Sequence, residues 1–139
     1  MLRRQFSRWL GAALATLACA TEAERGLRGK LTASAKPMLA GVPLAGDAGT
    51  MMVLGDPRLN GLDFEVVGEP GADAAGLFRV GPLHKRSMFV HQGGKRLTIT
   101  YWCQVCSIRT FTPGVCMCCQ DETAVDLKEK LESDDLSTR

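Results

Sequence analysis

Aromatic residues are scarce in this chain of 139 residues, 6% of the total with one tyrosine and two tryptophans, so any hydrophobic core is small and mostly aliphatic. Imidazole is scarcer still, with only His84 and His91. No CxxCH haem attachment, phosphate-binding glycine loop, GxSxG elbow or HExxH helix occurs, which removes the common cofactor and hydrolase signatures. The two CxxC pairs lack the βαβ setting of a thioredoxin-like oxidoreductase. No apolar run reaches the about 20 residues that a spanning helix needs, and no internal repeat is visible.

Against this background cysteine is concentrated. Five of six cysteines, Cys103, Cys106, Cys116, Cys118 and Cys119, fall in YWCQVCSIRTFTPGVCMCC. Taken as two CxxC pairs nine residues apart, Cys103 with Cys106 and Cys116 with Cys119, they offer four soft donors on two short turns. That is the set a tetrahedral thiolate site requires, each sulfur about 2.3 Å from a zinc ion. The pattern resembles a zinc ribbon, in which two hairpin turns clasp one metal. Zinc is the expected ion; iron, an iron–sulfur centre, copper, or two disulfides with one thiol left over are the alternatives. CxCC supplies a fifth thiol to a four-coordinate ion, so Cys118 is expected outside the ligand set, as a neighbouring or redox-active thiol. Cys118, His91 and His84 are the further candidate ligands. Met88 and Met117, with His91 and Cys118, make up the soft set that copper would prefer. Tyr101 and Trp102 are expected to cover the metal.

The N-terminus has the composition of an export signal: basic MLRRQFSR, apolar WLGAALATLACA, and the small-x-small site Ala18-Cys19-Ala20. Arg3, Arg4 and Phe6 add a twin-arginine-like RRxF. Cleavage after Ala20 leaves a periplasmic or secreted protein with no integral membrane span; lipidation at Cys19 is the lesser alternative, because Thr16 replaces the usual lipobox leucine. Without residues 1–20 the chain has 14 basic residues (17 less Arg3, Arg4 and Arg8) against 15 acidic ones. A nucleic-acid partner then has no electrostatic argument.

Residues 21–83 read as a β-rich unit with one short helix. Gly29 to Leu39 is a candidate strand. Asp47 is a helix N-cap for AGTMMVL, which Asp56-Pro57 ends. Leu62, Phe64 and Val66 alternate with acids as in a half-buried strand, and residues 68–76 read as a loop. Residues 84–127 read as a β-hairpin, Ser87–His91 and Lys95–Trp102 around Gly93-Gly94, running into the cysteine segment, with a last strand at Thr123–Leu127. Residues 128–139 are charged and read as a disordered tail.

The strings GDAGTMMVLGDPRLNGLDFEVVGEP and GPLHKRSMFVHQGGKRLTITYWCQVCSIRTFTPGVCMCCQDET together resemble a family of small exported bacterial proteins with a C-terminal CxxC…CxCC segment. The resemblance covers most of the chain after residue 20. It implies one assembly of a small OB-like barrel and the cysteine segment, and supplies no substrate or catalytic residue. The expected fold class is therefore mostly β: an OB-like or β-barrel-like unit with one short helix, followed by a zinc-ribbon-like hairpin. The expected function is an exported metal-binding interaction module whose partner is another envelope protein or a small ligand. The alternative is a redox or soft-metal-handling protein using Cys118 and a CxxC pair.

Overall fold

The computed structural model describes residues 24–71 and 76–131. The export signal, Cys19 and residues 132–139 lie outside the described residues. Strands make up 47% of the described structure, with one short α-helix, the mostly β class that the sequence implies.

Five strands close on themselves. β1 (Arg25–Thr32) pairs with β2 (Met38–Leu39), β2 with β3 (Val42–Ala45), β3 in parallel with β5 (Phe78–Val80), β5 with β4 (Asp63–Pro70), and β4 returns to β1. Helix α1 (Ala48–Leu54) lies between β3 and β4 in the chain. The ring is a small OB-like barrel. Its closure depends on backbone proximity: a Cβ on Gly68 would collide with the Arg79 carbonyl oxygen, so only glycine lets β4 pass β5 there. The loop expected from residue 68 therefore starts later, because Gly68, Glu69 and Pro70 still pair with β5.

Local chemistry explains the helix. The Asp47 carboxylate accepts from the Thr50 N–H at 2.8 Å, and its second oxygen from the Leu83 N–H at 3.2 Å. These bonds cap the helix and hold its carboxyl below the usual carboxylate range. Thr50, Val53 and Leu54 face inward. On β4, Phe64 and Val66 are buried between half-exposed Asp63, Glu65 and Val67, as period-two alternation requires.

A second group of strands grows from the same β4. β6 (Met88–Gln92) pairs with Phe64–Val66 along the edge whose far end holds β5. β7 (Lys95–Cys103) folds back on β6 through Gly93 and Gly94, whose φ angles of 59° and 76° suit a tight hairpin. β8 (Ile108–Thr110) continues the edge of β7 that β6 leaves, and β9 (Ala124–Lys128) lines the other. One hydrophobic core crosses the boundary expected at residue 83, because Met88, Val90, Ile99 and Tyr101 belong to the cluster built by Leu31, Leu54, Phe64 and Val66. Lys128 closes β9 rather than opening a tail, and Leu131 is buried to 6% exposure. Among the described residues no helix is long and apolar enough to cross a membrane.

Candidate metal centre

Two matching turns carry the cysteines. Cys103 ends β7, and the chain reverses so that the Ser107 N–H donates to the Cys103 carbonyl at 2.8 Å. In the second turn the Gln120 N–H donates to the Cys116 carbonyl at 2.9 Å, and the Cys116 N–H to the Asp121 carbonyl at 2.8 Å. A bridge between Val115 and Glu122 closes this second loop. The residue after each CxxC is left-handed, Ser107 at φ 53° and Gln120 at φ 61°. Each left-handed residue turns the chain back after its second cysteine, so both sulfurs of a pair face the same side.

The Sγ atoms of Cys103, Cys106, Cys116 and Cys119 all lie within 4.8 Å of one another. The Cys103 and Cys119 sulfurs approach to 3.4 Å, and all five described cysteines are free thiols. A tetrahedron with metal–sulfur distances of about 2.3 Å has edges of about 3.8 Å, so the sulfurs stand near ligating separation. Cys103 and Cys116 are buried, each 2% exposed, while Cys106 and Cys119 are half-buried. The four-cysteine group can hold a metal ion.

Backbone amides are aimed at the sulfurs. The Cys106 N–H donates to Cys103 Sγ at 3.4 Å. Cys116 is pulled down to about 7 by the N–H groups of Cys119 and Cys118, because hydrogen bonds to a thiolate favour the charged form. Cys106 moves the other way, pushed up by its hydrogen bond with the Cys118 thiol and then by burial. Cys119 is also pushed up: the Asp121 N–H favours its thiolate, but its contact with Cys103 and burial outweigh that bond. Four thiols in this space share protons that a cation would displace.

The remaining candidates lie elsewhere. Cys118 is exposed beside Cys106 and outside the four-sulfur group. His91 Nε2 is 2.8 Å from Glu65 Oε2, which Arg96 Nε also reaches at 3.0 Å. His84 sits in the 3-10 turn Leu83–Lys85. Neither histidine belongs to the sulfur group. Met88 is buried in the core and Met117 is 97% exposed, so the two do not form one soft ligand set. Tyr101 is fully buried in the core, and its hydroxyl donates to Asp56 Oδ2 at 3.0 Å.

No protein-family model, no curated protein and no solved structure matches this chain.

The structure also reveals a support that the sequence reading missed. Asp56, 5% exposed, accepts from the Arg58 guanidinium at 2.9 to 3.2 Å and from Tyr101. Arg58 Nη1 donates to the Thr123 carbonyl at 2.7 Å, and the Thr123 hydroxyl to the Gly114 carbonyl at 2.8 Å. A continuous chain of bonds thus runs from the barrel to the base of the second cysteine turn. Burial alone would raise the Asp56 carboxyl, but Arg58 and Tyr101 hold it below the usual carboxylate range. Burial, then the Asp56 charge, push the Tyr101 hydroxyl up. Asp56-Pro57 reads in sequence only as a helix stop; Asp56 also caps the 3-10 turn Pro57–Leu59 through the Arg58 N–H at 3.0 Å.

Proposed function

We propose that Cys103, Cys106, Cys116 and Cys119 hold one zinc ion in a closed structural site, and that the ribbon so fixed serves an exported protein as an interaction module. The observation that carries this reading is the pair of matching turns with four sulfurs within 4.8 Å and backbone amides aimed at them. Four protein ligands leave no open position, the arrangement of structural rather than catalytic zinc. The ion supplies charge to neutralise the thiolates and a fixed junction between the turns; the amides stabilise the sulfur charge that remains.

The surface supports the interaction role. Val105 and Val115 are 69% and 65% exposed, and they stand with Met117 on the cysteine turns. The partner assigned to these apolar tips is another envelope protein, met after export directed by residues 1–20. A second reading, redox or soft-metal handling, is favoured by one feature: the exposed Cys118 thiol, next in sequence to Cys119, stays outside the four-sulfur group.

Elemental analysis and an absorption spectrum of protein purified without added metal, with a thiol count on the denatured chain, decide between them. About one zinc per chain, no visible absorption and every cysteine titratable supports the structural site. A visible thiolate-to-iron or thiolate-to-copper band moves the assignment to the second reading, and a metal-free protein with disulfides overturns the metal site and leaves only thiol redox chemistry or a covalent staple.

A further inference from the structure

We propose that a cleft beside the ribbon binds a small phosphorylated planar ring, the chemistry of a mononucleotide. This goes beyond the metal site and does not depend on which metal is held. The cleft encloses about 570 Å³, inside the range of about 300–1,000 Å³ typical of small-ligand pockets. Trp102, Ser107, Arg109 and Phe111 line it from the β7–β8 hairpin, and Lys128 and Lys130 from β9 and the residues after it.

Charge selects the ligand. Arg109, Lys128 and Lys130 are the cleft's cations. Among the described residues Asp126 is the acid that meets these cations, with Arg109 Nη1 at 2.8 Å and Lys128 Nζ at 3.5 Å. The excess of about two positive charges matches a phosphate monoester, which carries about −1.5 to −2 at neutral pH. The aromatic surface selects the ring. The Arg109 guanidinium lies 4.9 Å from the Trp102 ring centre, so the two planar groups form a stacked wall. Phe111 is 41% exposed, an uncovered ring of the kind on which a base stacks. The Ser107 hydroxyl adds a polar contact at the mouth. All four hairpin residues are positioned by the strand pairs Trp102↔Arg109 and Tyr101↔Thr110 and by the first cysteine turn, a rigid base for a site.

The test uses the full chain with Trp9→Phe, which leaves Trp102 as the sole tryptophan, and follows its fluorescence against adenosine 5′-monophosphate, adenosine and inorganic phosphate. The monophosphate is expected to change the signal saturably, with adenosine and phosphate each binding at least about tenfold more weakly, since each keeps only half of the recognition. Lys128→Gln with Lys130→Gln is expected to weaken the monophosphate about tenfold or more with an unchanged melting temperature, and Phe111→Leu to reduce it to the level of phosphate alone. Glu132, Asp134 and Asp135 follow in the sequence, so the titration is repeated with Glu132→Gln, Asp134→Asn and Asp135→Asn as a control for competition by the chain's own acids. No saturable binding in either form overturns the proposal, as does binding that ignores the lysine pair. A ten-residue oligothymidylate binding tenfold more tightly than the mononucleotide overturns it too, because the site would then be a strand groove.

Discussion

The barrel and the cysteine ribbon are built on opposite principles. The barrel buries Leu31, Leu39, Leu54, Leu59, Phe64 and Val66 to 1% exposure or less, so apolar burial is its main support. The ribbon leaves Val105, Ile108, Phe111, Val115 and Met117 exposed and buries only the sulfurs of Cys103 and Cys116 among its cysteines. Its residues have too little apolar surface inside to offset their ordering entropy. Coordination is the available replacement, since metal affinity in such small units is folding free energy. The comparison therefore predicts that the two regions respond separately to loss of metal.

The largest effect should come from the ligands. Cys103→Ser or Cys116→Ser is expected to remove the metal, at a cost within the roughly 10–16 kcal/mol that zinc contributes to zinc-finger peptides. Hydrogen exchange should then accelerate across 103–122 while amides of β1 and β4 stay protected. Protected ribbon amides in metal-free protein would break the contrast between the regions. Phe64→Ala probes the other side. It should destabilise the barrel by about 3–5 kcal/mol, the usual cost of emptying a buried phenylalanine site, yet leave metal stoichiometry unchanged at temperatures where the variant is folded. Metal loss in folded Phe64→Ala would show that the ribbon is assembled by the barrel core.

The Asp56 network joins the two regions, so it sharpens the comparison. Removing the carboxylate charge with Asp56→Asn should cost about 1–3 kcal/mol, because Arg58 and the Tyr101 hydroxyl lose a charged acceptor in a buried place. The folded-state carboxyl titrates below its unfolded value. Its contribution to stability is therefore fully present above the unfolded value of about 3.9 and fades as pH falls through the lower folded value. Denaturant midpoints measured from pH 6 down to pH 2.5 should fall less steeply in Asp56→Asn than in the parent. Parallel curves would remove Asp56 from the acid response.

Much of this division was legible in the sequence. The AGTMMVL helix with its Asp47 cap, the alternation at Phe64 and Val66, the Gly93-Gly94 hairpin and the two CxxC turns all occur where local chemistry put them, because each depends on residues only a few positions apart. The segments that sequence reading missed depend on distant partners. β2 and β5 are two and three residues long, too short to show a period, and exist because the closing barrel offers them neighbours. The first strand begins at Arg25 rather than Gly29, since Arg25–Arg28 gains its pairing only from β4, some forty residues on. Lys128 looked like tail because its charge hid a strand position opposite Thr98. The hydroxyl partner of Tyr101, Asp56, is 45 positions away, beyond what local pattern shows.

The smallest expected effect separates the fifth cysteine from the four. Cys118 is exposed and outside the sulfur group, so Cys118→Ser should change stability by no more than about 0.5 kcal/mol, the usual range for a surface substitution, with metal content unchanged. It is still the neighbour in sequence of the ligand candidate Cys119, and an exposed thiol there is the natural point of attack for a thiol reagent. In the parent, a maleimide should therefore consume one thiol quickly with the metal still bound, and in Cys118→Ser that fast phase should vanish. Equal metal loss from Cys118→Ser and Cys119→Ser would mean that the two neighbouring sulfurs exchange as ligands, and the ribbon would then be a labile metal carrier rather than a fixed counterpart to the barrel.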